Sequence, residues 1–209
     1  MNYTELKTNI EDICENSFTE DQLAMFTQQA EQKIYNTVQI PALRRNVTGN
    51  VSADNKYLST PSDFLYSYSL AVIDGSGNYT YLLNKDVNFI REAYPGPSAT
   101  GLPKHYAYFD DNSFLLGPTP DAAYEMELHY GYYPESIVTA GTTWLGDEFD
   151  SALLNGALIE AIRFMKGEQD VVAMYEKLYV QAIGLLKNLG DGKLREDTYR
   201  SGQVRNPVS

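Results

Sequence analysis

The sequence is poor in the residues from which most chemical sites are built. Its 209 residues include one cysteine, one tryptophan and two histidines. With Cys14 alone, no intrachain disulfide can close and no cysteine-based metal site can form. His105 and His129 lack the third ligand that a zinc site needs, and both read as ordinary strand histidines. No run approaches the roughly 20 apolar residues of a membrane-spanning helix. The opening MNYTELKTNIEDICENSF is acidic and amphipathic, without the basic and apolar regions of a signal peptide, so assembly in the cytoplasm is expected. Basic residues are also scarce: 16 Lys and Arg stand against 28 Asp and Glu, a formal net charge of -12. That balance opposes tight binding of phosphate backbones, which takes clustered Lys and Arg.

Catalytic motifs are equally scarce. No glycine-rich phosphate loop, serine nucleophile elbow or HExxH pair occurs, and LGDGKL follows a helical pattern rather than a strand. Asp110 and Asp111 precede Asn112 in a tight turn, where such residues bond their own backbone. Asp147, Glu148 and Asp150 lack calcium-loop spacing and suit the start of a helix, where carboxylates need no metal. The expectation is a protein without catalytic residues, metal or cofactor.

What is present is a pattern that changes twice. A first helix is predicted over Tyr3–Cys14, with Leu6, Ile10 and Ile13 on one face. Thr19 to Gln22 forms a capping box that opens a second helix. Phe18 and Leu23 staple its entry, and Leu23, Phe26, Ala30 and Ile34 form its stripe. The middle holds twelve of the 17 tyrosines and eight of the nine prolines, and its period switches from helical to alternating. Tyr124, Met126, Leu128, Tyr130 and Tyr132 mark a half-buried strand. LYSYSLAVI and YTYLLN read as one hairpin, and KHYAYFD and SFLLG as another. Helical spacing returns after Trp144. One helix opens at Asp147, Glu148 and Asp150 and carries Phe149, Leu153, Ala157, Ala161 and Phe164, with Gly167 ending it. In a second, Val171, Tyr175, Leu178, Ala182, Leu185 and Leu189 form a heptad seam that should be buried, with Gly190 as its stop.

The predicted fold is α+β. Helix pairs at the two ends (1–40 and 144–190) build one bundle, a tyrosine-rich and mainly antiparallel β subdomain is inserted between them (41–143), and an extended arm follows (191–209). The arm is the one slightly basic segment. Its candidate contact residues are Arg195, Tyr199, Arg200, Val204 and Arg205: the arginines for forked bonds to carboxylates, Tyr199 and Val204 for small pockets.

Three segments together resemble the head-to-tail adaptor (connector) proteins of tailed bacteriophages, especially short-tailed ones. They are LSTPSDFLYSYSLAV, GLPKHYAYFDDNSFLLGPTPDAAYEMELHYGYYP and TTWLGDEFDSALLNGALIEAIRFMKGEQD. The resemblance implies a structural virion protein forming a homo-oligomeric ring of about twelve subunits. Such a ring docks on the portal, extends the DNA channel and receives a tail nozzle or tail tube protein, while DNA passes through without specific binding. It also implies that the arm from about Asp191 contacts the portal. The rival expectation is a β-rich carbohydrate- or receptor-binding module of a phage tail component, built on the tyrosine-rich sheet.

Overall fold

A computed structural model describes the backbone of residues 1–194 and the side chains of residues 1–190. In chain order it begins with helices α1 (Tyr3–Cys14) and α2 (Glu20–Thr37). Strands β1 (Arg44–Val51), β2 (Tyr57–Ser59), β3 (Phe64–Ile73), β4 (Tyr79–Tyr81) and β5 (Leu83–Asn84) follow. Helix α3 (Val87–Ala93) leads to β6 (His105–Asp110), β7 (Ser113–Gly117) and β8 (Tyr124–Tyr132). The chain then forms α4 (Ile137–Ala140), α5 (Trp144–Glu148), α6 (Asp150–Phe164) and α7 (Gln169–Leu194). The fold is α+β, and its contacts divide into a helical unit, residues 1–42 with the chain from Pro134 onward, and a β unit, Leu43–Tyr133.

In the helical unit, local chemistry starts the helices where the sequence places them. The Gln22 amide donates to Thr19 Oγ1 at 3.3 Å, while the Thr19 amide donates to Gln22 Oε1 at 2.9 Å. The reciprocal pair satisfies two amides that the first turn leaves without partners. Leu23, Phe26, Ala30 and Ile34 are buried, as their spacing requires. Leu6 and Ile10 of α1 are buried too, but Ile13 faces outward near the end of the helix.

The hub is α6, against which α1, α2 and α7 all pack. Apolar side chains on nearly every face of α6 make it a core helix rather than an amphipathic surface one. Gly156 sets the spacing. A Cβ there would lie 3.0 Å from Ala30 Cβ of α2 and 3.2 Å from Tyr179 Cε2 of α7, so its absence lets both neighbours close in. Phe164 is half exposed, yet its ring sits 5.4 Å from Phe26 and 6.4 Å from Phe18, closing the end of the α2 contact.

Of the two glycines expected to break helices, one does: α6 ends at Phe164, and the Gly167 amide donates to Ile162 O at 2.9 Å across its end. The left-handed residue after α6 is Lys166 (φ 58°), whereas Gly167 passes so close to Ile162 that a Cβ would come within 2.5 Å of its Cγ2. Gly190 does not stop α7, which continues to Leu194. A Cβ on Gly190 would meet Ile40 Cγ2 at 2.6 Å and Gln39 O at 2.7 Å, so this glycine serves close approach rather than termination. The single helix expected from Asp147 onward is interrupted at Phe149, which separates α5 from α6.

One buried carboxylate ties α2 to the segment before α4. Glu31 is 3% exposed, and the Ile137 amide donates to its Oε1 at 2.8 Å. Burial raises the Glu31 carboxyl above its ordinary value, against the opposing pull of hydrogen bonds from Ile137 and Ser136.

The β unit stacks two four-stranded sheets, ordered β1-β8-β3-β4 and β2-β7-β6-β5. Pairing is antiparallel except between β5 and β6. Leu70, Val72, Phe114, Leu116, Met126 and Leu128 form the core between them. Both expected hairpins are present, although of YTYLLN only Tyr79–Tyr81 pairs with β3, while Leu83–Asn84 crosses to pair with β6 in the other sheet. Asp74 Oδ1 closes the first turn by accepting the amides of Ser76 at 2.8 Å and Asn78 at 2.9 Å. Asp110 Oδ1 accepts the Asn112 amide at 2.8 Å in the second. The sequence reading missed β1, whose RRNVTGNV buries only Val51 and so shows no apolar period; unbroken pairing with β8 makes it a strand. It also missed α3, a short helix capped by Asp86 that buries only Ile90.

Two outcomes follow. Leu153→Ala, at a fully buried α6 position, should lower unfolding stability by about 2–5 kcal/mol in urea melts. At Glu31 the native state holds its proton more tightly than the unfolded chain does. That stabilisation is complete below the unfolded carboxyl's value and disappears as pH rises through the higher, folded one. Glu31→Gln, which keeps the acceptor for Ile137, should therefore be at least as stable as the parent at neutral pH and show a flatter profile below it. Glu31→Ala strands the buried amide and should cost about 1–3 kcal/mol in the same melts.

Candidate functional site

Helix α7 buries one face and leaves a second apolar stripe uncovered. Ala182, Ile183, Leu186 and Gly190 are buried, and Tyr175 and Tyr179 are partly covered. One turn around the helix, Val171, Met174, Leu178, Leu185 and Leu189 are exposed, with Met174 at 51%, Leu178 at 41% and Leu185 at 67%. The expected heptad seam is thus divided: Tyr175 and Ala182 turn inward, while Val171, Leu178, Leu185 and Leu189 turn outward. The reason is geometric. The principal neighbour of α7 is α6, one helix covers only one side of another, and the apolar arc of α7 is wider than that contact. Contiguous apolar surface of this kind marks an interaction face.

The α6–α7 pair is aligned by charge at its rim, where Arg163 Nη2 donates to Glu176 Oε1 at 2.6 Å. Glu160 accepts Lys33 Nζ from α2 and also lies 3.6 Å from Arg163. These exposed pairs set register and add little stability.

On the β unit, the outer face of the β1-containing sheet carries an aromatic and cationic group. The Arg44 guanidinium lies 4.3 Å over the Tyr68 ring, the Tyr66 and Tyr68 hydroxyls are 3.1 Å apart, and His129 is 5.1 Å from Tyr68. The Tyr66 ring covers Gly131, where any Cβ would collide with it at 2.6 Å. The bond to Tyr68 and partial burial push the Tyr66 phenol up to about 12, so it stays neutral at physiological pH. The tyrosines therefore divide: Tyr106 and Tyr130 belong to the core, whereas Tyr66, Tyr68, Tyr79 and Tyr81 face outward.

The histidines are held by aromatic neighbours. His105 Nδ1 is 2.9 Å from the Tyr94 hydroxyl, and its pKa is lowered, first by burial and then by Lys85 and Lys104. Among the described residues no group of three or more His, Cys, Asp or Glu side chains is placed to hold a metal ion, and no helix is long and apolar enough to cross a membrane. The candidate arm residues Arg195, Tyr199, Arg200, Val204 and Arg205 lie outside the described residues. The outward stripe was visible in the sequence as apolar residues at helical spacing. Missing was any sign of which part of the arc α6 would cover.

The model of one protein family, the SU10 adaptor protein, matches residues 1–207 of the chain. No curated protein matches it significantly. A match over almost the whole length, on a fold that joins a helical unit to a β insertion, places the chain in the SU10 adaptor protein family, a family of phage head-tail adaptors.

Proposed function

We propose that this adaptor forms a homo-oligomeric ring that docks on the phage portal, extends the DNA channel and receives the tail. The observation that carries the reading is the uncovered stripe of α7: Val171, Met174, Leu178 and Leu185 need a partner that the described residues do not supply. A ring supplies one at every subunit through a repeated head-to-tail contact, in which the stripe of one copy meets a different face of the next. The net charge of -12 suits a conduit, because an acidic wall repels DNA and lets it pass without sticking. The C-terminal arm, through Arg195, Tyr199, Arg200, Val204 and Arg205, contacts the portal. One arm binds weakly after losing its conformational freedom, and a ring of arms binds tightly through effective concentration. The outward Tyr66–Tyr68–Arg44 group offers aromatic and cationic contact to a tail component. The role is structural, in the virion, with no reaction catalysed.

The double variant Leu178→Asp/Leu185→Asp tests the reading. Both positions face outward, so the subunit should fold with little loss of stability. Leu178 belongs to the seam that the sequence predicts to be buried, where a carboxylate would unfold the bundle; its exposure reverses that expectation. The variant should remain a folded monomer by mass and circular dichroism and fail to join portal-bearing heads. Attachment equal to that of the parent would contradict the proposal.

A further inference from the structure

We infer that the two free edges of the sheet ordered β1-β8-β3-β4 meet between neighbouring copies: β4 of one subunit adds to β1 of the next, and its Leu83 enters an apolar slot beside β1. Strand β1 pairs only with β8 and β4 only with β3, so among the described residues the outer amides and carbonyls of both strands face no other strand. Such an edge is a template for another chain unless charge, proline or a bulge blunts it. Strand β1 keeps an unbroken register along its eight residues, and the stretch from Asn46 to Ser52 holds no charged residue and no proline. Beside it the stacked sheets are open. A cavity of about 310 Å³ between β1 and β2 is lined by Val47, Leu58, Leu70, Met126 and Leu128, and Val47 is 39% exposed.

The opposite edge of the same unit carries the complement. Tyr79 and Tyr81 of β4 are exposed, and Leu83, where the chain crosses to the other sheet, is 60% exposed. From Gly75 to Asn84 this segment is uncharged as well. Charge selects the occupant: a chain of net charge -12 meets a copy of itself best through neutral surfaces, and both edges are neutral. Strand direction agrees. The pairs β1–β8, β8–β3 and β3–β4 are all antiparallel, so β4 runs opposite to β1. A head-to-tail repeat that preserves strand direction therefore sets β4 antiparallel to the next β1. The faces agree too. Thr48 lies across from Glu127 on the outer face, where the Tyr79 hydroxyl bonds Glu127, whereas Val47 lies across from core Leu128, and Thr80 from core Val72. With Tyr81 beside Thr48 or Asn50, Leu83 reaches the slot as its chain turns toward the second sheet. This contact rests on the ring reading and adds a second join to the α7 stripe, made largely by main-chain hydrogen bonds.

Cysteine pairs test the contact on portal-bearing heads, in full-length protein that also carries Cys14→Ser. Within one chain β1 and β4 are three strand spacings apart, roughly 14 Å, so no disulfide can join them. Thr48→Cys/Tyr81→Cys and Asn50→Cys/Tyr81→Cys can therefore link only different copies. All three positions are exposed, so the variants should fold and form rings visible by electron microscopy. Mild oxidation should convert most of the monomer into a ladder of multimers on a non-reducing gel for at least one pair, while each single-cysteine variant stays monomeric. Adding Leu83→Asp should abolish the ladder, because a carboxylate is costly to place in an apolar slot. A visible ring that yields no ladder with either pair would overturn the inference, assigning the β1 edge to a strand of another protein and leaving the ring reading intact. A ladder that survives Leu83→Asp would also overturn it. Heads that carry the protein without any ring would overturn both readings.

Discussion

Helix α7 carries more apolar surface than α6 can cover, and the functional reading of the helical unit rests on that mismatch. Helix α6 itself is enclosed: α1, α2 and α7 pack around it, and Gly156 lets Ala30 and Tyr179 approach its backbone. Helix α7 has α6 on one side, where Ala182, Ile183 and Leu186 are buried, and leaves Val171, Met174, Leu178 and Leu185 without cover. An isolated chain bears the cost of hydrating that stripe, and an assembly removes it. The same helix that completes the core of one subunit is where we propose the next one attaches.

Much of the local structure was legible in the sequence because its causes are local. The Thr19–Gln22 box, the turns at Asp74 and Asp110, and the alternation through Met126, Leu128 and Tyr130 each depend on residues a few positions apart. What escaped depends on a distant partner. Strand β1 has no apolar period and exists because β8 pairs with it along its whole length. Gly190 reads as a helix breaker, yet it is small because Ile40 and Gln39, distant in the chain, lie against it, and nothing nearby in the chain announces that contact. The heptad seam fails for a related reason. A period fixes the direction of an apolar arc but not its width or the number of neighbours that share it. The exposed residues Leu178 and Leu185 and the buried residue Ala182 follow the same repeat.

The β unit shows a comparable division of one residue type between two duties. Tyr106 and Tyr130 fill the space between the sheets, while Tyr66 and Tyr68 stand on an outer face with Arg44 over one ring. Composition alone could not separate these groups; the register of β3 against β8, with its bulges, decides which tyrosines turn outward. That face is aromatic and cationic. Its Tyr66 phenol is neutral, its histidine lies tilted against the Tyr68 ring, and its arginine is held by cation–π contact. These features agree with membership in a family of adaptors.

The proposed ring makes the outward stripe of α7 the contact between subunits. Cryo-electron microscopy of portal-bearing particles carrying this protein measures it directly. Val171, Met174, Leu178 and Leu185 should be covered by the adjacent copy at every position around a closed ring. Particles in which these four side chains face solvent, with neighbouring copies joined elsewhere, would contradict it.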